Sequence, residues 1–75
     1  MNIKAKPEGV QLLQVKKYWV NVWVDKVKYM YTEYTCDRVL ISYEVRKKDV
    51  LVKDESIIKA IVDYLRKENY VTSQN

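Results

Sequence analysis

Trp19 and Trp23 stand four residues apart in a run bracketed by Lys16, Lys17, Lys26 and Lys28. Indole rings stack on bases of any kind, and lysines neutralise phosphates. This combination of residue types therefore suits nucleic-acid binding. Tyr34 and Arg38 add a second sort of ring and a guanidinium further along the chain. The candidate nucleic-acid-binding set is thus Lys16, Lys17, Trp19, Trp23, Lys26, Lys28, Tyr34 and Arg38, with DNA or RNA as the partner. Aromatic rings and arginine also concentrate at the centres of protein interfaces. The same residues therefore fit a second reading, a protein-interaction module. It would form a homodimer, or block a larger host protein as small virus-encoded inhibitors do.

Catalysis has little to work with. There is no His, so the commonest acid–base group at neutral pH is missing. Cys36 is the one cysteine, expected in a loop beside Asp37, and no imidazole is present to activate it. One thiolate without imidazoles makes a poor zinc site, and one cysteine excludes an intramolecular disulfide. Glu33, Asp37, Glu44 and Asp49 are scattered among basic neighbours, and with Gly9 alone no Gly-rich phosphate loop can form. The expectation is a binding module with no catalytic residues, no metal and no cofactor.

Charge points the same way. The net charge is +4, and residues 1–28 carry six lysines against Glu8 and Asp25. The middle of the chain is nearly balanced, and residues 54–75 are slightly acidic. A basic first half favours polyanionic partners. Lys, Glu, Val, Ile and Tyr dominate, a composition compatible with a thermophilic source. The opening MNIKAKPEG has no long apolar run, so no secretory signal, membrane span or membrane partner is expected, and a cytoplasmic location follows.

The elements that must position these residues are legible in outline. Seventy-five residues make one domain, and a chain of this size buries only roughly 60% of its unfolded surface. In DESIIKAIVDYLRKE, residues 54–68, Ile57, Ile58, Ile61, Val62 and Leu65 form one apolar stripe at helical spacing. Asp54 or Ser56 can cap the start, and Glu55, Lys59, Asp63 and Lys67 alternate in sign along the solvated side. That balanced row is a poor phosphate surface, and a single helix does not make a helix-turn-helix. Residues 70–75 read as a frayed polar tail.

Upstream, the period is two. The runs 18–25, 27–34 and 38–46 alternate β-branched and aromatic residues with polar ones, as in an antiparallel meander. A two-residue turn at Asp25–Lys26 pairs Val24 with Val27, Val22 with Tyr29 and Val20 with Tyr31. A three-residue loop, Thr35-Cys36-Asp37, pairs Tyr31 with Ile41, Tyr29 with Tyr43 and Val27 with Val45. It also sets Lys28 opposite Glu44 and Tyr34 opposite Arg38. Before residue 16 the phase differs, so a bulge near Lys16–Lys17 is expected. Lys6-Pro7-Glu8-Gly9 reads as a turn joining a short strand, Ile3–Ala5, to residues 10–13, with a helix over 8–17 as the alternative. Val50–Val52 reads as one more short strand.

The predicted fold is α+β: a small antiparallel sheet with one C-terminal helix on one face. Val20, Val22, Tyr29, Tyr31 and Ile41 face that helix, and Trp19 and Trp23 lie on the other side. One helix covers one face of such a sheet. The second face is then left open, covered by residues 1–13 folding back, or enclosed by the strands curling into a barrel.

Overall fold

Alternating side chains in the first forty residues produce long strands. The computed structural model describes residues 2–71. The strands are β1 (Ile3–Leu12), β2 (Lys16–Val24), β3 (Val27–Cys36), β4 (Val39–Lys47) and β5 (Val50–Leu51), and the helix is α1 (Glu55–Lys67). All neighbouring strands are antiparallel, in the order β1-β2-β3-β4-β5, which is an α+β meander. Among the described residues no helix is long and apolar enough to cross a membrane.

The helix forms as its stripe dictates. Asp54 is the N-cap, accepting from the Ser56 N–H at 3.0 Å and the Ser56 hydroxyl at 2.7 Å. These hydrogen bonds hold the Asp54 carboxyl below its usual range. Lys59 donates to Asp63 at 2.8 Å across one turn of the exposed side. The helix ends in a Schellman closure, with Asn69 in the left-handed region and the Tyr70 N–H donating to the Leu65 carbonyl at 2.8 Å. Tyr70 and Val71 pack partly against the core instead of fraying. The rest of the expected tail, 72–75, lies outside the described residues.

Val20, Val22 and Val24 of β2, Tyr31 of β3, Val45 of β4 and Ile61, Val62 and Leu65 of α1 make the buried core. Each such side chain stabilises the fold by roughly 1.5–3 kcal/mol relative to exposure. The ring of Tyr43 stacks on Tyr31 at 5.8 Å. The Tyr31 hydroxyl donates to Glu33, a buried carboxylate, at 2.9 Å. Burial first, and then the charge of Glu33, push the Tyr31 phenol well above its ordinary value.

The β2–β3 register is the expected one: Val24 faces Val27, Val22 faces Tyr29 and Val20 faces Tyr31. The β3–β4 register is not. Its loop is the two-residue turn Asp37–Arg38, so Cys36 ends β3 instead of lying in a loop, and Tyr31 faces Val45, not Ile41. A bulge then leaves Ile41 without a partner and exposed. Glu44 faces Thr32 instead of Lys28, and Tyr34 faces Ser42 instead of Arg38. The reason is local. In each of the three two-residue turns, Asp25–Lys26, Asp37–Arg38 and Lys48–Asp49, both residues have positive φ, the type I′ geometry that matches strand twist. None contains the glycine by which such turns are ordinarily read.

The N-terminal third also differs from expectation. Lys6-Pro7-Glu8-Gly9 is not a turn, and there is no helix over 8–17. Residues 3–12 form one edge strand, in which Ile3 faces Val24 and Ala5 faces Val22. The phase change is absorbed by a bulge between Pro7 and Gly9, not at Lys16–Lys17. Pro7 is tolerated there because an edge strand need not donate outward. Residues 3–12 therefore extend the sheet sideways and do not cover its second face.

Candidate nucleic-acid interface

The second face is best described in rows running across the strands. The first row is Lys4, Trp23 and Lys28; the second is Lys6, Asn21, Met30 and Arg46. The third is Gly9, Trp19, Thr32 and Glu44; the fourth is Gln11, Lys17, Tyr34 and Ser42. Among the described residues no strand or helix lies over these rows, yet Trp19 and Trp23 are only partly exposed, and Asn21 and Thr32 are buried. The burial comes from neighbours within the sheet.

Trp19 shows how. Its ring lies over Gly9, directly across the strand pair; a Cβ placed on Gly9 would come 2.6 Å from Trp19 Cζ2. Gly9 has no positive φ, so close approach, not backbone freedom, is what requires glycine here. The aromatic ring fills the gap left by the missing side chain. The Lys17 ammonium sits 5.5 Å from the Trp19 ring centre, a cation–π distance. One aromatic is thus docked on the sheet with a cation at its open side.

Asn21 lies between the two tryptophans along β2. Its Nδ2 donates to Glu8 Oε2 at 2.7 Å, and Glu8 is the bulged residue of β1. A carboxylate only accepts, so this bond fixes which end of the amide faces Glu8. The Asn21 Oδ1 is left buried with no hydrogen-bond partner, in a residue only 6% exposed. An unsatisfied buried acceptor costs about 1–3 kcal/mol. It is a strained polar atom in the middle of an aromatic face.

Charge is graded along the strands. Two open grooves flank the Asp25–Lys26 turn. One, of about 610 Å³, is lined by Lys26, Lys28, Arg46, Lys47 and Lys48 with Asp49. The other, of about 520 Å³, is lined by Asn2, Lys4, Ala5, Trp23 and Lys26. The acidic residues Glu8 and Glu44 belong to the middle of the face, and Glu44 is paired with Arg46. The basic end is therefore the Trp23 end.

Of the sequence-derived set, Lys17, Trp19, Trp23, Lys28 and Tyr34 lie together on this face. Lys26 and Arg38 occupy turns at opposite ends of the sheet, and Lys16 sits in register with Leu12 and Thr35 on the helix side. Sequence reasoning missed Lys4, Lys6, Lys47, Lys48 and the Asn21–Glu8 pair. The alternation of Ile3 and Ala5 with Lys4 and Lys6 was the available signal for the first two. Among the described residues no three His, Cys, Asp or Glu side chains are placed to hold a metal ion. The chain matches no family model, no characterised protein and no solved structure.

Proposed function

We propose that the protein is a small non-enzymatic module that binds single-stranded nucleic acid across the second face of its sheet. The observation that carries this reading is a pair of partly exposed indoles, Trp19 and Trp23, on a face that also bears Lys4, Lys6, Lys17, Lys28 and Arg46. Four residues of strand separate the Cα atoms of the two tryptophans by about 13 Å. That is about four times the ~3.4 Å rise of a stacked strand. A splayed strand spans that distance with one base against each ring and a nucleotide between them. Phosphates run toward Lys26, Lys28 and Arg46, where the positive charge collects. Lys17 leaves the Trp19 ring for a phosphate as a base takes its place.

Two copies of this face make a poor contact with each other, because five basic groups stand against Glu8 and Glu44. That argues against the homodimer version of the protein-partner reading.

A titration of labelled single-stranded DNA and RNA across salt, followed by tryptophan fluorescence, tests the proposal. Neutralising about three to five phosphates gives a log–log salt slope of roughly −2 to −4. Trp23→Ala weakens binding at every salt concentration with little change of slope, at roughly 1–3 kcal/mol per base. Lys26→Ala plus Lys28→Ala flattens the slope. No binding at low salt, where a basic protein has its best chance, sinks the reading and leaves a protein partner in its place.

A further inference from the structure

The sheet has a notch at one corner. Strand β4 ends at Lys47 and turns away at Lys48–Asp49, so Val27, Lys28 and Tyr29 of β3 have no β4 partner. The larger of the two basic grooves fills this gap. Its lining takes five of the fourteen basic side chains, Lys26, Lys28, Arg46, Lys47 and Lys48, and one of the ten acidic ones, Asp49. The groove therefore carries a formal charge of +4, the whole excess of the chain, and the side chains outside it balance. Arg46 is already held, by Glu44 and by the Asp49 carbonyl at 3.1 Å. None of the four lysines is in an ion pair among the described residues. Cations gathered in one concavity repel one another, and Asp49 is the only carboxylate in the lining to offset them.

We infer that the notch recognises an end: it takes the terminal phosphate of a nucleic-acid strand whose bases lie on the Trp face. A phosphodiester chain spreads single charges along its length and suits cations strung out beside it. A terminal phosphate concentrates about −1.5 to −2 charges and three acceptor oxygens at one point. A cluster of cations around one concavity matches the second distribution, not the first. The notch also opens to both sides of the sheet. Lys28 and Arg46 belong to the Trp face, whereas Lys47 follows buried Val45 by two residues and belongs to the helix side. A strand lying across Trp19 and Trp23 passes Lys28, but it meets Lys47 and Lys48 only by entering the notch. Lys26 lines both this groove and the one beside Trp23, so the base nearest the phosphorylated end falls to Trp23. The inference rests on the single-strand reading of the Trp face and adds to it a preference for phosphorylated ends.

Single strands of one sequence, with a phosphate at the 5′ end, at the 3′ end or at neither, test it on the full chain at fixed salt by tryptophan fluorescence. One phosphorylated strand is expected to bind about tenfold tighter than the strand without a phosphate at neutral pH. Which of the two does so gives the direction of the strand. The margin shrinks as pH falls through about 6, where the phosphate loses its second charge. The chain has no histidine to titrate in that range, so the change belongs to the ligand. Lys47→Gln plus Lys48→Asn, both at exposed positions, brings the phosphorylated and unphosphorylated strands to equal affinity. Asparagine tolerates the φ of 50° at residue 48. Equal binding of all three strands by the unaltered protein overturns the inference and leaves the single-strand reading standing. No binding of any of them overturns both. A margin that ignores pH, or that survives the double substitution, overturns the inference alone. The strand comparison and its pH dependence need no variant, so they decide the matter even where the double substitution fails to fold.

Discussion

The two faces of the sheet are built from the same strands but bury their large side chains by different means. On one face, Val20, Val22, Tyr31 and Val45 disappear beneath Ile61, Val62 and Leu65 of the helix. On the other, no described strand or helix lies above Trp19 or Trp23, and the Trp19 ring is packed against Gly9 within the sheet. The first face obtains its stability from a second layer. The second obtains partial burial from a missing side chain at Gly9, and leaves a polar atom unsatisfied in the process. A face shielded only from the side still offers its rings to a partner, whereas a face under a helix does not. The difference marks one face as core and the other as surface available for binding, though both are rich in aromatics.

The largest expected effect lies under the helix. Leu65 is fully buried in the core, so Leu65→Ala removes its contacts on all sides. Such changes cost about 2–5 kcal/mol. Urea unfolding measures the loss, and nucleic-acid affinity per folded molecule stays the same. A fall in affinity without a fall in stability would break the division between the faces. Gly9→Ala comes next and probes the open face. The added Cβ meets the Trp19 ring at 2.6 Å, so the ring must move. The expected loss is about 1–3 kcal/mol, as for other overpacked sites. In a Trp19→Ala background the same change costs much less, a coupling that a double-mutant cycle reads directly. If Gly9→Ala is neutral in both backgrounds, Trp19 is not docked on the edge strand.

The legible parts of this fold were those in which local pattern and long-range pairing agree. The stripe Ile57 to Leu65 admits one helix, and the alternation on either side of Asp25–Lys26 admits one register that buries the valines. Where a local signal contradicts the pairing, the reading failed. Pro7 and Gly9 look like a turn, but in an edge strand the proline needs no partner and the glycine makes room for the ring of Trp19, its partner ten positions along the chain. The Asp37–Arg38 turn has no glycine, and the bulge at Ile41 shifts everything beyond it. On the Trp face, the lysines of β2 and β3 are evident from their proximity to the tryptophans. Lys4, Lys6 and Glu8 reach that face only through the β1–β2 pairing, which the apparent turn concealed.

Asn21→Leu contrasts stability with function on the open face. Leucine fills a similar volume and removes the unpaired acceptor, so the fold gains about 1 kcal/mol or somewhat more. Glu8 loses a donor but is exposed to water. Binding is retained in the same variant, because the buried oxygen offers no surface to a base. A variant that gains stability but loses affinity would place Asn21 in contact with the ligand. On the helix face, the corresponding polar test is pH. The folded-state value of Tyr31 is raised, so its contribution is complete below the ordinary phenol value near 10. It is lost as pH climbs above that value, by up to about 1.4 kcal/mol per pH unit for this group. Absorbance titration should show Tyr31 ionising only as the chain unfolds. Ionisation of all seven tyrosines near pH 10 in the folded protein would contradict this burial.

The smallest effects come from the turns, and they resolve the two ends of the binding face. Lys26 and Arg38 hold the same position in two type I′ turns, with φ of 72° and 67°. Each is a long side chain in a conformation that favours glycine, so Lys26→Gly and Arg38→Gly each relieve strain of up to about 1 kcal/mol. Each also removes one positive charge. On stability and net charge the two variants are matched, and they differ only in location. Lys26 lines both basic grooves beside Trp23, whereas Arg38 caps the β3–β4 hairpin at the far end. Lys26→Gly should weaken single-strand binding and flatten its salt slope by nearly one contact's worth, about 0.7. Arg38→Gly should leave both nearly unchanged. Equal losses from the two would mean that affinity follows total charge and that the gradient across the face does no work. A greater loss from Arg38→Gly would reverse the polarity of the site and place the phosphates at the Trp19 end.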